Sequence, residues 1–215
     1  MLFRSGNVAG FAVTGNRVHD VNNIGIDVIG GERDVHPTAF PRDGIVSGNV
    51  VERARSNYGG GYAAGIYVDG GRRLRITGNT CTENDLGIEI ASENRGFDAV
   101  AVAVTGNTIR DNEKAGLVFG GYDRQVGRTR SCVFSGNLIV GNDTLGVGYG
   151  QVWIQYARDN VVRDNVIVAA AGGRLVTADP GGPTNRLDSN QYSVPAGAAG
   201  NSAARPSFSA AERPV

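Results

Sequence analysis

Residues 74–92 read LRITGNTCTENDLGIEIAS and contain the pattern that returns along almost the whole chain. It consists of an apolar residue, Gly-Asn, another apolar residue, a short polar turn and Gly-Ile-x-Ile. Aligned on its asparagine, the pattern recurs in steps of 33, 30, 28, 30, 28 and 25 residues, at Asn16, Asn49, Asn79, Asn107, Asn137, Asn165 and Asn190. A period in this range is typical of a solenoid, a propeller or another repeat array.

Apolar residues flank each asparagine at fixed distances. Three residues before it stand Val13, Val46, Ile76, Val104, Phe134, Val162 and Leu187, and two residues after it stand Val18, Val51, Cys81, Ile109, Ile139 and Ile167. Later in each repeat, pairs such as Ile88 and Ile90 alternate with other residues, which is typical of a strand with one buried face. No segment has the 3.6-residue rhythm of a helix, and a propeller blade would need four antiparallel strands. The sequence therefore predicts an all-β parallel β-helix of about six to seven coils, each with three strands.

In such a coil each residue lies above its counterpart in the next coil, about 4.8 Å away. The seven asparagines are therefore expected to stack in a hydrogen-bonded ladder, and the small residue before each one relieves the tight corner. With this pattern, residues 11 to about 192 resemble the pectin-lyase-like right-handed β-helix superfamily. The resemblance implies a carbohydrate-active protein, but that superfamily contains lyases, glycosidases, epimerases, esterases, tailspikes and inert scaffolds.

Composition indicates where the predicted solenoid ends and which partners are expected. Residues 1–194 are expected to form the solenoid, and the small, Pro-containing residues 195–215 are expected to form a flexible tail. The sequence starts without a signal peptide and without a capping helix, so we expect it to be the C-terminal part of a longer solenoid. A secreted, periplasmic or cell-surface location is implied by the family resemblance alone. The formal net charge is zero, so neither a nucleic-acid nor a membrane partner is indicated, and the oligomeric state stays open.

Loop lengths indicate where a binding groove lies. The turns before and after the Gly-Ile-x-Val strand vary in length, and insertions in repeat proteins gather on the binding face. By alternation, two rows of side chains face outward from this strand: Asp27, Tyr67, Glu89, Val118 and Trp153 in one, and Asp69 and Gln155 in the other. The candidate substrate-binding residues on this face and its rim are Trp153, Gln155, Tyr58, Tyr62, His36, Arg42 and Arg95.

Carboxylates beside aromatic rings suit a sugar chain, because the rings stack on sugars and paired carboxylates divide acid and base work. The candidate catalytic residues are Asp69, Glu89, Asp27 and Tyr67, with Tyr67 expected to hydrogen-bond Asp27 or Glu89. Asp69 and Glu89 are expected on adjacent coils with roughly 7 Å between their Cβ atoms, nearer the spacing of inverting than of retaining glycosidases. We expect no cofactor. Glu93, Asn94 and Asp98 offer oxygen ligands for calcium, but a loop that is simply solvated is the favoured interpretation of these residues.

These residues favour a glycoside hydrolase acting on an acidic or a plant or bacterial polysaccharide. The first alternative is a polysaccharide lyase or epimerase that acts on uronates. Tyr67-Val-Asp69 resembles the tyrosine and aspartate of the alginate epimerase branch, but no histidine follows it in this sequence. The second alternative is a non-catalytic β-helix that binds glycans. The sequence leaves open whether the protein is an enzyme.

Overall fold

The computed structural model describes residues 3–31, 39–57, 59–179 and 184–195. In these ranges the chain forms 24 short β-strands and no helix, so no helix long and apolar enough to cross a membrane is found there. The strands pair in parallel and form three seven-stranded sheets and one short sheet. The predicted parallel β-helix is confirmed.

Each long sheet takes one strand from every coil. Sheet 1 contains β1 (Phe3–Gly6), β4 (Ile26–Ile29), β7 (Ala64–Asp69), β10 (Leu86–Ala91), β14 (Ala115–Gly120), β18 (Val152–Ile154) and β22 (Val176–Ala178). Sheet 2 contains β2 (Ala12–Thr14), β5 (Ile45–Ser47), β8 (Arg75–Thr77), β12 (Ala103–Thr105), β16 (Val133–Ser135), β20 (Val161–Arg163) and β23 (Arg186–Asp188). Sheet 3 contains β3 (Arg17–Val21), β6 (Val50–Ala54), β9 (Thr80–Thr82), β13 (Thr108–Arg110), β17 (Leu138–Val140), β21 (Val166–Val168) and β24 (Gln191–Ser193). The short sheet 4 contains β11 (Ala99–Val100), β15 (Thr129–Arg130) and β19 (Ala157–Arg158).

Inward side chains stack in columns to form the core. In sheet 2, for example, Ile76 pairs in register with Val104, which pairs with Phe134. Like stacks on like because the repeat places the same apolar class at the same corner of each coil. Cys81 and Cys132 are buried free thiols, and burial raises the pKa of both, that of Cys132 to about 12. They belong to the packed interior and are inert at neutral pH.

The predicted asparagine ladder lies at the corner between sheets 2 and 3. The backbone N–H and Nδ2 of Asn79 both donate to Oδ1 of Asn107 at 2.9 Å, and Asn107 does the same to Asn137. Each buried amide also donates to a backbone carbonyl, as Asn107 does to Ile76 O at 2.9 Å. The residue before the asparagine has a left-handed backbone, with φ of 63° at Gly106, which glycine adopts without strain.

A second ladder, which we did not predict from the sequence, fixes the corner where the chain enters sheet 1. Asn84 donates to Asn112, Asn112 to Asn142, and Asn142 to Oε1 of Gln151, by both the backbone N–H and the side-chain amide. All four side chains are buried. This ladder holds the starting points of β10, β14 and β18 at constant height, which matters because these strands form the floor of the candidate site.

Candidate functional site

The outer face of sheet 1 brings the predicted acidic and aromatic side chains together. The register pairs Asp27 with Tyr67 and Tyr67 with Glu89, and the same row continues through Val118 to Trp153. Alternation alone dictates this row, because the residues on either side of each member belong to the core. Three polar side chains on successive coils therefore share one surface.

A second row runs beside the first and contains Asp69. Asp69 pairs with Ala91, two residues after Glu89, so Asp69 and Glu89 are diagonal neighbours on adjacent strands. Gln155 belongs to the same row further along, where its backbone N–H donates to Phe119 O at 2.9 Å. Asp69 and Gln155 are almost completely buried.

Loops on both sides of sheet 1 enclose this surface as a cavity of about 630 Å³. The pre-strand wall, formed by the loops that lead into the strands, contributes Asn23, Ile24, Ser56, Gly59, Tyr62 and Ala63. The post-strand wall, formed by the loops that follow the strands, contributes Glu93, Tyr122 and Asp179. The floor contains Asp27, Tyr67, Asp69, Glu89, Trp153 and Gln155. A volume of this size is typical of a pocket that holds a small organic ligand.

Buried carboxylates hold the pre-strand wall in place. Oδ2 of Asp85 accepts the backbone N–H groups of Ser56 at 2.8 Å and Ala63 at 2.9 Å. Asp143 does the same two coils further along, where its two oxygens accept three backbone N–H groups of residues 147–150 at 2.8 to 3.1 Å. Each carboxylate follows an asparagine of the second ladder, so the wall is anchored directly to the scaffold.

Aromatic rings form one end of the cavity. The ring of Tyr149 stacks on Trp153 with a centroid distance of 3.9 Å and an interplanar angle of 6°. The hydroxyl oxygens of Tyr149 and Tyr62 lie 3.1 Å apart, and this hydrogen bond is the largest cause that raises the pKa of Tyr149 to about 12. The two loops of the wall are thereby joined above a flat apolar surface.

Burial alters the acidity of the carboxyl groups on the floor. It raises the pKa of Glu89 to about 8, with smaller contributions from the charges of Glu93 and Asp69. Burial likewise raises the pKa of Asp69 to about 7, but the backbone N–H of Glu93 donates to Asp69 Oδ1 at 2.9 Å and opposes the rise. This hydrogen bond stabilises the charged form of Asp69. Both neighbouring carboxyl groups are therefore weaker acids than usual, and a backbone N–H favours the charged form of Asp69.

Comparison with known sequences identifies the architecture. The family model described as "Right handed beta helix region" matches residues 2–147 and again residues 45–204. The chain belongs to the right-handed β-helix family. The resemblance of this chain to right-handed β-helix proteins, which the asparagine repeat indicated, is confirmed.

Two individual proteins are similar to this β-helix. The uncharacterized protein YwoF of Bacillus subtilis strain 168 is 40% identical over 171 residues. The match covers 77% of this chain but 36% of YwoF, so the chain spans little more than a third of that relative. The A-module of mannuronan C-5 epimerase AlgE4 from Azotobacter vinelandii matches 85% of this chain and 59% of the module, at 12% identity and a TM-score of 0.34.

The tyrosine on the floor of the β-helix has a different hydrogen-bond partner from the expected one. The hydroxyl of Tyr67 donates to Oε1 of Glu93 at 3.4 Å, whereas we expected Asp27 or Glu89 to accept this bond. Burial and the surrounding carboxylates, first that of Asp69, raise the pKa of Tyr67 above its usual value. The tyrosine is therefore a neutral hydrogen-bond donor in the cavity.

Two arginines expected at the rim lie away from the cavity lining. The guanidinium of Arg42 lies 5.9 Å from the centroid of Phe40, and its backbone continues the short sheet 4 by bridging to Ala9 and Arg72. Arg95 donates to the backbone and side-chain oxygens of Gln125 at 3.3 and 2.9 Å. The other two predicted rim residues, His36 and Tyr58, lie outside the described residues, as does the predicted tail from residue 196 onward.

The residues considered for calcium binding have separate partners. Glu93 accepts the hydroxyl of Tyr67, whereas Asp98 forms an ion pair with Arg130 at 2.8 Å. In the part of the chain that the structure describes, no three His, Cys, Asp or Glu side chains are grouped so that they could hold a metal ion.

Sequence reasoning missed several residues that shape the site. Glu93 and Asp179 both reach the cavity from loops, where no periodicity shows which way a side chain points. The loop anchors Asp85 and Asp143 follow Asn84 and Asn142, and the recurrence of Asn followed by an acid before sheet 1 was a signal in the sequence that could have identified them.

Proposed function

We propose that this β-helix is a glycoside hydrolase that cleaves a polysaccharide or oligosaccharide bound over sheet 1. The observation that carries the proposal is the pair Asp69 and Glu89, two neighbouring carboxyl groups on the floor of a cavity, both with raised pKa values. Glycoside hydrolysis requires one carboxylic acid that protonates the leaving oxygen and one carboxylate that acts on the other side of the sugar.

The hydrogen bond that Asp69 accepts from the backbone N–H of Glu93 assigns the two roles. Glu89, with a pKa of about 8, keeps its proton at neutral pH and serves as the general acid. Asp69, with a pKa of about 7 and a backbone N–H bound to one oxygen, is ionised first and serves as the general base. Diagonal neighbours on adjacent strands have Cβ atoms roughly 7 Å apart, so this pair favours an inverting reaction with a water molecule between base and sugar.

Other residues of the cavity would hold the sugar. Trp153, one face of which stacks on Tyr149, would offer its other face for stacking against a sugar. Tyr67 donates a hydrogen bond from the floor, and Asp27 lies beside it as a further acceptor for sugar hydroxyls. An extracellular location forms part of the proposal, because long polysaccharides are met outside the cell.

The alternative of a uronate lyase or epimerase is disfavoured by the charge of the lining. Such reactions remove a proton next to a carboxylate and need a cation to neutralise that carboxylate. None of the described residues that line the cavity is an arginine, lysine or histidine. An acidic sugar would therefore face acids of the same charge at close range.

The direct test is release of reducing ends from a panel of neutral, amino-bearing and acidic polysaccharides. Glu89→Gln is expected to lower the rate about a hundredfold to ten-thousandfold, the usual contribution of general acid catalysis. The loss should be much smaller with an aryl glycoside, whose leaving group departs without protonation. Glu83→Gln, which changes an exposed carboxylate outside the cavity, is the matched control and should leave the rate unchanged.

Two results would overturn the proposal. An unchanged rate in Glu89→Gln would remove the acid from the mechanism. Binding of a glycan by the wild-type protein without cleavage of any member of the panel would establish the non-catalytic, glycan-binding alternative. A product that absorbs ultraviolet light through a new double bond would establish a lyase.

A further inference from the structure

The lining of the cavity is rich in hydrogen-bond acceptors, whereas the cation Lys114 lies outside the lining, with its Nζ 4.0 Å from the ring centroid of Tyr62. Five carboxyl groups line it: Asp27, Asp69, Glu89, Glu93 and Asp179. The described lining contains no basic side chain to balance them. Because like charges in a partly desolvated site repel one another, a ligand that brings positive charge would relieve a strain that a neutral ligand leaves in place.

Gln155 supplies a second and independent observation. Its side chain is only 6% exposed and lines the cavity, and its Oε1 accepts no hydrogen bond from any residue that the structure describes. A buried amide oxygen without a donor is costly, so such a group at a cavity surface is typically completed by an ordered water or by a ligand. A ligand that satisfies both Gln155 and the carboxylates must be a hydrogen-bond donor. An ammonium group has three donors and no acceptor, which fits the oxygens of Gln155 and the carboxylates. The buried indole N–H of Trp153, which forms no hydrogen bond of standard geometry with a described residue, would be left to an oxygen of the sugar.

Asp179 and Trp153 define where such a group would lie. The backbone N–H of Asp179 donates to Ile154 O at 2.8 Å, which seats Asp179 on the coil above Trp153 and Gln155. Burial raises the pKa of the Asp179 carboxyl and the indole N–H of Trp153 opposes the rise, so a nearby cation would further favour the charged form. The Trp153 ring also attracts cations through its face. Carboxylate, indole and amide oxygen thus meet at one end of the cavity, away from the pair Asp69 and Glu89.

We propose that the glycan bound in this cavity is an amino sugar chain with free amino groups, and that Asp179, Gln155 and Trp153 bind one ammonium group at the end of the cavity away from Asp69 and Glu89. This proposal rests on the proposed function, since it specifies the substrate class of the same cavity. It differs from the expectation of an acidic glycan, and Arg42 and Arg95, which were expected at the rim, do not line the cavity.

The test compares three oligosaccharides of equal length by titration calorimetry at about pH 6, where amines are protonated. They are a glucosamine tetrasaccharide, an N-acetylglucosamine tetrasaccharide and a tetragalacturonate. Binding is measured to the Glu89→Gln protein, so that cleavage does not disturb the titration. The glucosamine chain is expected to bind about tenfold to a hundredfold more tightly than its acetylated counterpart, the range for hydrogen bonds to a charged group. The tetragalacturonate is expected to bind most weakly.

Variants locate the ammonium group. Asp179→Asn keeps the size of the side chain and should reduce the preference for the free amine about tenfold or more. Gln155→Met, which keeps the length of the side chain and removes its amide oxygen, should reduce the same preference. Glu83→Gln, an exposed acid outside the cavity, should leave all three affinities unchanged.

The outcomes separate this inference from the proposed function. Equal or tighter binding of the acetylated chain or of the galacturonate would overturn the amino-sugar assignment, even if the wild-type protein cleaves one of them. A preference for the glucosamine chain that Asp179→Asn leaves intact would overturn the ammonium site. A preference that Asp179→Asn abolishes, in a protein that cleaves no glycan, would support the binding site and reject the hydrolase.

Discussion

Replacing Asn107 with alanine is expected to destabilise the β-helix far more than the same change at Asn16. Asn107 is buried at the middle of the first ladder, and its Oδ1 accepts both the backbone N–H and the Nδ2 of Asn79 at 2.9 Å. Asn16 lies at the exposed end of the same ladder, where it donates to Asn49 without a described residue donating to its own Oδ1. The two positions have the same residue type and lie at the same corner of the coil, but they accept different numbers of hydrogen bonds.

The magnitude follows from the groups that lose a partner. Asn107→Ala leaves the backbone N–H of Asn79 and one N–H of its Nδ2 without an acceptor, while the other N–H of Nδ2 still donates to Val46 O. Each lost partner costs about 1–3 kcal/mol, which gives about 2–6 kcal/mol in total. Alanine at position 107 also removes a donor from Ile76 O and from Asn137 Oδ1, although Asn137 still accepts the backbone N–H of residue 107. Asn16→Ala leaves no buried donor without an acceptor, so it is expected to lower the unfolding free energy by less than about 1 kcal/mol. The larger loss is a substantial share of a typical stability of roughly 5–15 kcal/mol.

The assay is guanidinium unfolding of the wild type and both variants under identical conditions, followed by far-ultraviolet circular dichroism. Because coils of a solenoid can unfold separately, midpoints of the variants are compared with each other rather than converted to an absolute stability. Amide hydrogen exchange at Asn79 supplies a local measurement, and its protection should fall in Asn107→Ala. Equal midpoints for the two variants would refute the idea that the ladder stabilises the corners.

Three further predictions concern the site. The pH profile of kcat/KM should rise through about 7 as Asp69 ionises and fall through about 8 as Glu89 loses its proton, and a Glu89→Gln profile that keeps the alkaline fall would contradict this assignment. Asp85→Ala should raise KM about tenfold, since it removes one charged acceptor from the pre-strand wall. Asp85→Asn, which keeps a carbonyl oxygen, should raise KM less. Equal KM values for the two variants would argue against Asp85 as the anchor of this wall. Gly87→Ala should lower the unfolding free energy by at least about 1–3 kcal/mol because the added Cβ overlaps the Ile109 side chain, and an unchanged guanidinium midpoint would show that the coil can relax there.

The sequence predicted the parts of the fold that repeat in every coil. Columns such as Ile76, Val104 and Phe134 and the ladder through Asn107 follow from positions that stay apolar or amide-bearing at a constant offset. The second ladder was missed because it passes through only three asparagines and then ends on Gln151, where a glutamine takes over the role. Rows on the outer face of sheet 1 were also predictable, since alternation fixes them once the core is known.

The walls of the cavity could not be predicted in the same way. Their shape depends on single acids such as Asp85, which look like ordinary turn residues until the backbone N–H groups they accept are known. The side chain of Arg95 turned to Gln125, because that neighbouring loop offers two oxygens. Loops lack the periodicity that relates one residue to the next, so the direction of Glu93 toward Tyr67 left no trace in the spacing of the sequence.

The coils of this protein are interchangeable in one respect and unique in another. Each ladder step uses the same two donors and one acceptor, so deleting or duplicating a whole 28-residue period between Asn79 and Asn107 would join identical ends. Such a change would preserve the continuity of the asparagine stack while removing or doubling Glu89. The length of the rod can thus change by whole coils in evolution or engineering, whereas the chemistry over sheet 1 depends on which coil carries which outward residue.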